Sequence, residues 1–169
     1  MTLRIRAATP ADADALCALH AASWRASYAP FVPASALGAP LEAAMAARWG
    51  TWPADRLIRV AERGGALLGF GAVVRGPVPL LDNLHVSPDA RSGGIGGALF
   101  RSVCHALAAE GATSLRLIVI AANPDARRFY CRLGGVEAAA VDDTLLGHTV
   151  RMVPVHFPEP VFAALSQEL

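Results

Sequence analysis

The chain contains no lysine: all fifteen of its basic residues are arginine, against fourteen acids, for a formal net charge of +1. The absence removes the phosphate-binding lysine of a P-loop and any Schiff-base chemistry. Genomic composition accounts for the bias toward arginine, and the abundance of alanine points the same way. No block of one charge stands out, which argues against general nucleic-acid or membrane-surface binding. Cysteine is scarce. Cys17, Cys104 and Cys131 are far apart, form no CxxC and have no histidine at zinc-site spacing, so neither a disulfide framework nor a structural metal is expected. They read as small buried or half-buried thiols. No apolar run approaches the ~20 residues of a membrane span, and the N-terminus lacks a signal-length hydrophobic core, so the expectation is a soluble, cytoplasmic protein without membrane contact.

What remains is a chain of 169 residues with 54% apolar and 17% charged content, the profile of one globular domain over 1–169. "LRIRAA" (Leu3–Ala8) alternates like a half-buried strand, and Thr9, Pro10, Asp12 and Asp14 follow as helix-start residues. A second helix is expected over Ala34–Trp49. Between them "SWRASYAPFVP" reads as a loop bearing Trp24, Tyr28 and Phe31, a candidate pocket wall or a core patch. "LIRVAE" and "LLGFGAVV" flank "RGG" as a hairpin, and "PLLDNLHV" is a third strand. An amphipathic helix spans residues 95–110 and Gly111 stops it. "SLRLIVI" is a largely apolar strand, and "NPDARRFYCRLGG" a short helix capped by Asn123. Two last strands, Val136–Val141 and His148–Val155, precede a tail that reads as a helix. The order β-α-α-β-β-β-α-β-α-β-β predicts a mixed α/β sheet with helices on its faces.

"RSGGIGGALF" (Arg91–Phe100) places four glycines at the point where a helix begins, although glycine costs a helix ~1 kcal/mol relative to alanine. A helix start exposes unpaired N–H groups and positive dipole. Without Cβ atoms a phosphate reaches that backbone, and Arg91 adds a charged donor. A plain strand-to-helix glycine turn accounts for the glycines equally well. A Rossmann fingerprint is broken, because Gly94 and Gly96 are followed by Leu99.

The loop resembles the Arg/Gln-x-x-Gly-x-Gly/Ala motif of the GNAT superfamily of acetyl-CoA-dependent N-acetyltransferases, with Arg91, Gly94 and Gly96 at its defining positions. "LDNLHVSPDARSGGIGGAL" is similar to that family's strand–loop–helix unit, "NPDARRFYCRLGG" to the segment after its next strand, and "LRIRAATPADADALCALH" to its opening. The resemblance is weakest over residues 25–55 and after 136. It implies a GNAT fold: a mixed, mostly antiparallel sheet of about six or seven strands, helices on both faces and splayed central strands.

It further implies that the amides of Arg91, Ser92, Gly93, Gly94, Ile95, Gly96 and Gly97 bind the pyrophosphate of acetyl-CoA. The main chain of Leu84, His85 and Val86 would hold the pantetheine arm, and an amide near Val86 would polarise the thioester carbonyl. Asn123 and Tyr130 match positions that contact the cofactor, and Tyr130 that of a general acid for the departing thiolate. Alone, a tyrosine there would equally fill the core. For the base, relatives carry a glutamate where this chain has Leu80. Asp82, two residues on and so on the same strand face, is the preferred substitute; His85 would face the other way, and no dedicated base is needed if the amine arrives neutral. Trp24, Tyr28, Phe31 and the segment Val141–His148 are the candidate acceptor wall. The implied activity is acetyl transfer to a primary amine, on a small molecule or peptide, by direct attack in a ternary complex, without a metal, in a protein that is frequently a homodimer in this family. The rivals are a catalytically inactive acyl-CoA-binding regulatory or scaffolding module with the same fold and, more remotely, a nucleotide-binding α/β protein.

Overall fold

The computed structural model describes residues 2–91 and 93–167. Eight strands form one sheet. β1 (Arg4–Ala7), β2 (Arg56–Arg63), β3 (Ala66–Val74) and β4 (Leu80–Val86) run antiparallel in chain order, then β5 (Leu115–Ile120) joins β4 in parallel. β8 (His148–Phe157) pairs antiparallel with β5 and carries β6 (Val136–Glu137) and β7 (Val141–Leu145) along its length. The mixed, mostly antiparallel sheet of the sequence reading is therefore present with one more strand than expected. The expected Val136–Val141 strand stops after Glu137, and the extra strand, β7, begins at Val141 and runs on to Leu145. Three alanines, poor strand formers, lie opposite Pro154, which has no N–H to give and accepts from Ala138 N–H at 2.9 Å.

Helices cover both faces. α1 (Ala13–Tyr28) and α2 (Ala39–Trp49) lie on one, where Leu16, Leu19 and Trp49 close over Ile58, Val60 and Phe70. α3 (Ile95–Ala109) and α5 (Glu159–Gln167) lie on the other, with Phe100, Val103, Phe157 and Phe162 at the centre of the larger core. Burying one such phenylalanine stabilises the fold by about 1.5–3 kcal/mol, and Phe100, Phe157 and Phe162 are each at most 1% exposed. α4 (Pro124–Arg132) follows β5.

Both early helices begin later than the sequence predicts. Residues Pro10–Asp12 make a 3-10 turn first, with the Asp12 carboxylate accepting from Thr9 N–H and from Arg6, both at 2.8 Å. Ala34–Leu37 makes another, and Gly38 separates it from α2. The helical stripe of Leu16 and Leu19 takes in Trp24, and α1 then runs on, so Tyr28 is helical rather than on a loop. The cysteines are free: Cys104 is buried and Cys17 half-buried, but Cys131 is exposed on α4, against the expectation of three sheltered thiols. Among the described residues no helix is long and apolar enough to cross a membrane.

Two irregularities position the site. β4 and β5 share only the pairs Leu80–Arg116 and Leu81–Leu117 and then diverge. Beyond Leu81 one edge of β4 is still paired with β3 while the other has no strand beside it. β4 also bulges. Val73 pairs Leu81 and Ala72 pairs Asn83, which leaves Asp82 as the extra residue. A bulge of this kind re-aims side chains.

Candidate active site

The divergence of β4 from β5 opens a cavity of about 180 Å³, with β4 residues Asp82 and His85, α1 residue Tyr28 and α4 residue Tyr130 among its lining. A second, wider cleft of about 680 Å³ lies beside it, lined by Val86, Gly94–Gly97, Arg101 and Phe129. The two are neighbours along the same elements: His85 lines the first and Val86 the second, Tyr130 the first and Phe129 the second.

The glycine loop forms the floor of the second cleft. Gly94 takes a left-handed conformation, φ 74°, as N-cap of α3, and the intrahelical ladder starts with Ala98 N–H donating to the Gly94 carbonyl at 3.1 Å. The amides of Gly94, Ile95, Gly96 and Gly97 precede that ladder and so have no acceptor within the helix. A Cβ on Gly96 would stand 3.6 Å from Phe129 and 3.8 Å from Val86, filling the gap between them. The geometry therefore fits a diphosphate approaching bare backbone. Gly93 is exposed beside this floor. Ser92 lies outside the described residues. Arg91 lines the cleft while its guanidinium donates to Ser27 Oγ at 2.9 Å and to the Val86 carbonyl at 3.4 Å, tying the loop to α1 and β4.

In the inner cavity Tyr130 projects from α4 and packs by its ring against Phe100, Phe129 and Phe157. Burial, and then the nearby Tyr28, hold its hydroxyl well above the usual phenol range. Tyr28 is pushed up to about 12, by burial and then by the charge of Asp82. Asn123 also lines this cavity, but its Oδ1 is occupied as the cap of α4, accepting Ala126 N–H at 3.1 Å. Leu84 lines it from β4.

The bulge overturns the regular alternation assumed for β4. Asn83 and His85 stand opposite Ala72 and Phe70, on the α1–α2 side, and Asp82 reaches that same side to Arg48 of α2. Asp82 and His85 therefore share a face. Arg48, Arg56 and Asn83 all donate to Oδ2 of Asp82. Burial pushes this carboxyl up, but the bonds and charges of Arg48 and Arg56 outweigh it and hold Asp82 below the ordinary range. His85 is buried, its Nδ1 2.9 Å from Ser23 Oγ, and burial followed by the charges of Arg91 and Arg48 pushes it down to about 3. His20 lies behind it, ring centroids 4.8 Å apart, and is pushed down by the same burial.

Two of the three aromatic residues expected in the wall do not reach the cavity. Trp24 turns into the α1–α2 packing, edge-on to His20 and Tyr28, because α1 continues through it. Phe31 lies beneath, packed with Ile120, Val150 and Met152. Tyr28 is the one that lines it. From the far segment Leu145 and Met152 contribute, and the next residue, Leu146, bridges to α1 and α2 with φ 49°, a left-handed conformation unusual for leucine. Sequence reasoning did not find Ser23, Arg48 or Arg56. They lie 62, 34 and 26 positions from their partners on β4, and no local pattern joins them.

Among the described residues no cluster of histidine, cysteine and carboxylate side chains could hold a metal ion. No curated protein matches the chain. Solved structures do. An N-acetyltransferase structure from Rhodopseudomonas palustris, described as GCN5-related, is 24% identical over 94% of this chain and 96% of that one, with a TM-score of 0.75. The PaiA N-acetyltransferase of Thermoplasma acidophilum, solved with coenzyme A, is 20% identical over 90% and 98%, with a TM-score of 0.73. The ribosomal-protein-S18-alanine N-acetyltransferase of Escherichia coli is 23% identical over 94% of both, with a TM-score of 0.70. At these identities the likeness is one of fold. The acetyltransferase (GNAT) family model matches residues 16–134, a stretch that holds the glycine loop, the diverging strands and Tyr130. The chain therefore belongs to the GNAT acetyltransferase family, and the class of its activity is acyl transfer.

Proposed function

We propose that the protein transfers the acetyl group of acetyl-CoA to a primary amine, with donor and acceptor bound together. The observation that carries this reading is the presence of three features in two neighbouring cavities: bare amides at the start of α3, the unpaired edge of β4, and Tyr130 in the lining of the inner cavity. Residues Gly94–Gly97 would hold the diphosphate, with Arg91 adding positive charge, and the main chain of Leu84–Val86 would hold the pantetheine amides. When bound, acetyl-CoA supplies an activated carbonyl and a thiol leaving group.

The chain's own groups do the rest. The free edge of β4 offers N–H donors near Val86 to the carbonyl oxygen. Tyr130 stays protonated across the working pH range, which suits a donor that gives its proton to sulfur. Asp82, drawn tight by two guanidinium groups, is a poor base and is better suited to accepting an N–H of the amine and fixing its direction. Incubation with acetyl-CoA and a panel of amines, reading free thiol, tests the proposal. Thiol release that depends on the amine and on Tyr130 supports it. Coenzyme binding with no release on any amine would instead identify a binding module.

A further inference from the structure

The inner cavity is short of negative charge. Among the described residues Asp82 is the only carboxylate that lines it, and both Arg48 and Arg56 close on that one group. A third guanidinium, Arg91, reaches Ser27, another lining residue. Of the acids on neighbouring elements, Glu42 of α2 pairs with Arg25, Asp142 of β7 with Arg151, Glu137 of β6 with Arg127 and Asp125 of α4 with Arg128, while Asp143 of β7 is exposed and accepts the N–H of Thr144. The remaining titratable groups facing the cavity are Tyr28 from α1, His85 from β4 and Tyr130 from α4, with His20 behind His85. Each is sheltered in the form that carries no charge. Two guanidinium groups closed on one carboxylate, even without Arg91 of the adjoining cleft, make this a poor receptor for an ammonium ion. None of these groups is poised to take a proton from one at neutral pH.

We infer that the acceptor enters as the neutral form of a weakly basic primary amine, and that the guanidinium groups of Arg48 and Arg56 behind Asp82 exclude lysine-type and polycationic acceptors. The inference rests on acetyl transfer to an amine as the activity. With a neutral amine the balance closes without an enzymatic base. The nitrogen lone pair forms the C–N bond, the C–S pair leaves with sulfur, and the proton that nitrogen sheds replaces the one Tyr130 gives to sulfur. At pH 7 an α-amino group of pKa about 7.8 is roughly 14% neutral and a lysine-type amine of pKa about 10.4 only about 0.04%, a difference of some ~300-fold.

Two measurements on the full chain test this. The first is kcat/KM, by thiol release from acetyl-CoA, for substituted anilines, dipeptide α-amines and alkylamines between pH 6 and 10. The expected result is a preference of at least about 100-fold at pH 7 for weakly basic amines, with a break in the profile that moves with each amine's own pKa. A break fixed at one pH for all amines would reveal a protein base and overturn the inference. So would turnover of spermidine or lysine-type amines at pH 7 that matches the anilines; either result leaves acetyl transfer itself intact. The second measurement is calorimetric binding to the protein–CoA complex of an unreactive pair: a trimethylammonium analogue of the best acceptor and its neutral tert-butyl isostere. The isostere should bind at least about tenfold more tightly; equal or tighter binding of the cation overturns the inference without any turnover. If coenzyme binds and no amine of any class is acetylated, both the inference and the proposed activity fall.

Discussion

Ser23 Oγ and His85 Nδ1 meet at 2.9 Å in the interior, joining the middle of α1 to the strand that forms the cavity floor. Removing the hydroxyl strands a buried ring nitrogen, so Ser23→Ala should lower stability by about 1–3 kcal/mol, read from urea unfolding. The same burial makes the fold acid-sensitive. His85 is held neutral down to about pH 3, against an unfolded value of 6.5. Above 6.5 neither state takes the proton. Below it the unfolded chain does and the folded chain does not, so stability falls as pH drops from 6.5 toward 3. The loss is about 1.4 kcal/mol per pH unit for each such imidazole, and His20 adds its own share. A His85→Asn variant should show a shallower slope than the parent in urea titrations at pH 7, 6 and 5.

Tyr130→Phe keeps the ring contacts with Phe100, Phe129 and Phe157 and removes only the hydroxyl. Thermal stability and coenzyme affinity should be nearly unchanged while kcat falls about 10²–10⁴-fold. A fall of less than threefold would remove Tyr130 from the chemistry.

Asp82→Asn leaves Arg48 and Arg56 facing each other without the carboxylate that joins them. A loss of about 1–3 kcal/mol is expected from the charged hydrogen bonds, measured by thermal or urea unfolding. If Asp82 only directs the amine, kcat/KM for a neutral amine should drop without any shift in the pH at which the profile breaks.

Gly96→Ala and Gly94→Ala separate a glycine the loop can replace from one its backbone requires. A Cβ at Gly96 would make ordinary contacts with Phe129 and Val86, and the backbone there is helical. Stability should hold or rise by about 0.4–1 kcal/mol. The motif this loop resembles admits alanine at that position, so the dissociation constant for CoA should stay within about threefold of the parent's, or ~0.7 kcal/mol, read by calorimetry. Gly94→Ala should behave differently, losing about 1–2 kcal/mol of stability, because φ there is 74° although space is open.

Local signals made most of the architecture legible. Alternation marked β1, the Arg63–Gly65 turn marked the β2–β3 hairpin, an apolar run marked β5, the stripe Ile95–Leu99–Val103–Leu107 marked α3, and Asn123 and Pro124 marked the start of α4. What sequence could not carry was relational. The bulge at Asp82 depends on how β3 lays against β4, and it reverses the facing of every later residue on the strand. The arginine clamp and the Ser23–His85 bond join segments remote in the chain, so no spacing rule signals them. Trp24 reads either on the helical stripe with Leu16 and Leu19 or in the loop, and Tyr28 reads in the loop, although Gly and Pro punctuation begins only at Pro30, after α1 has ended.

Among the described residues, the two strand pairs between β4 and β5 are the only sheet pairing that joins the β1–β4 meander to the β5–β8 half. Side chains of α3 and the surrounding core span the gap instead. Leu81 and Leu117 thus mark a joint held by side-chain packing more than by backbone hydrogen bonds. A coenzyme bridging the open edge of β4 would act as a clasp across that joint. Saturating CoA should therefore slow amide exchange in both half-sheets, far beyond the residues it touches.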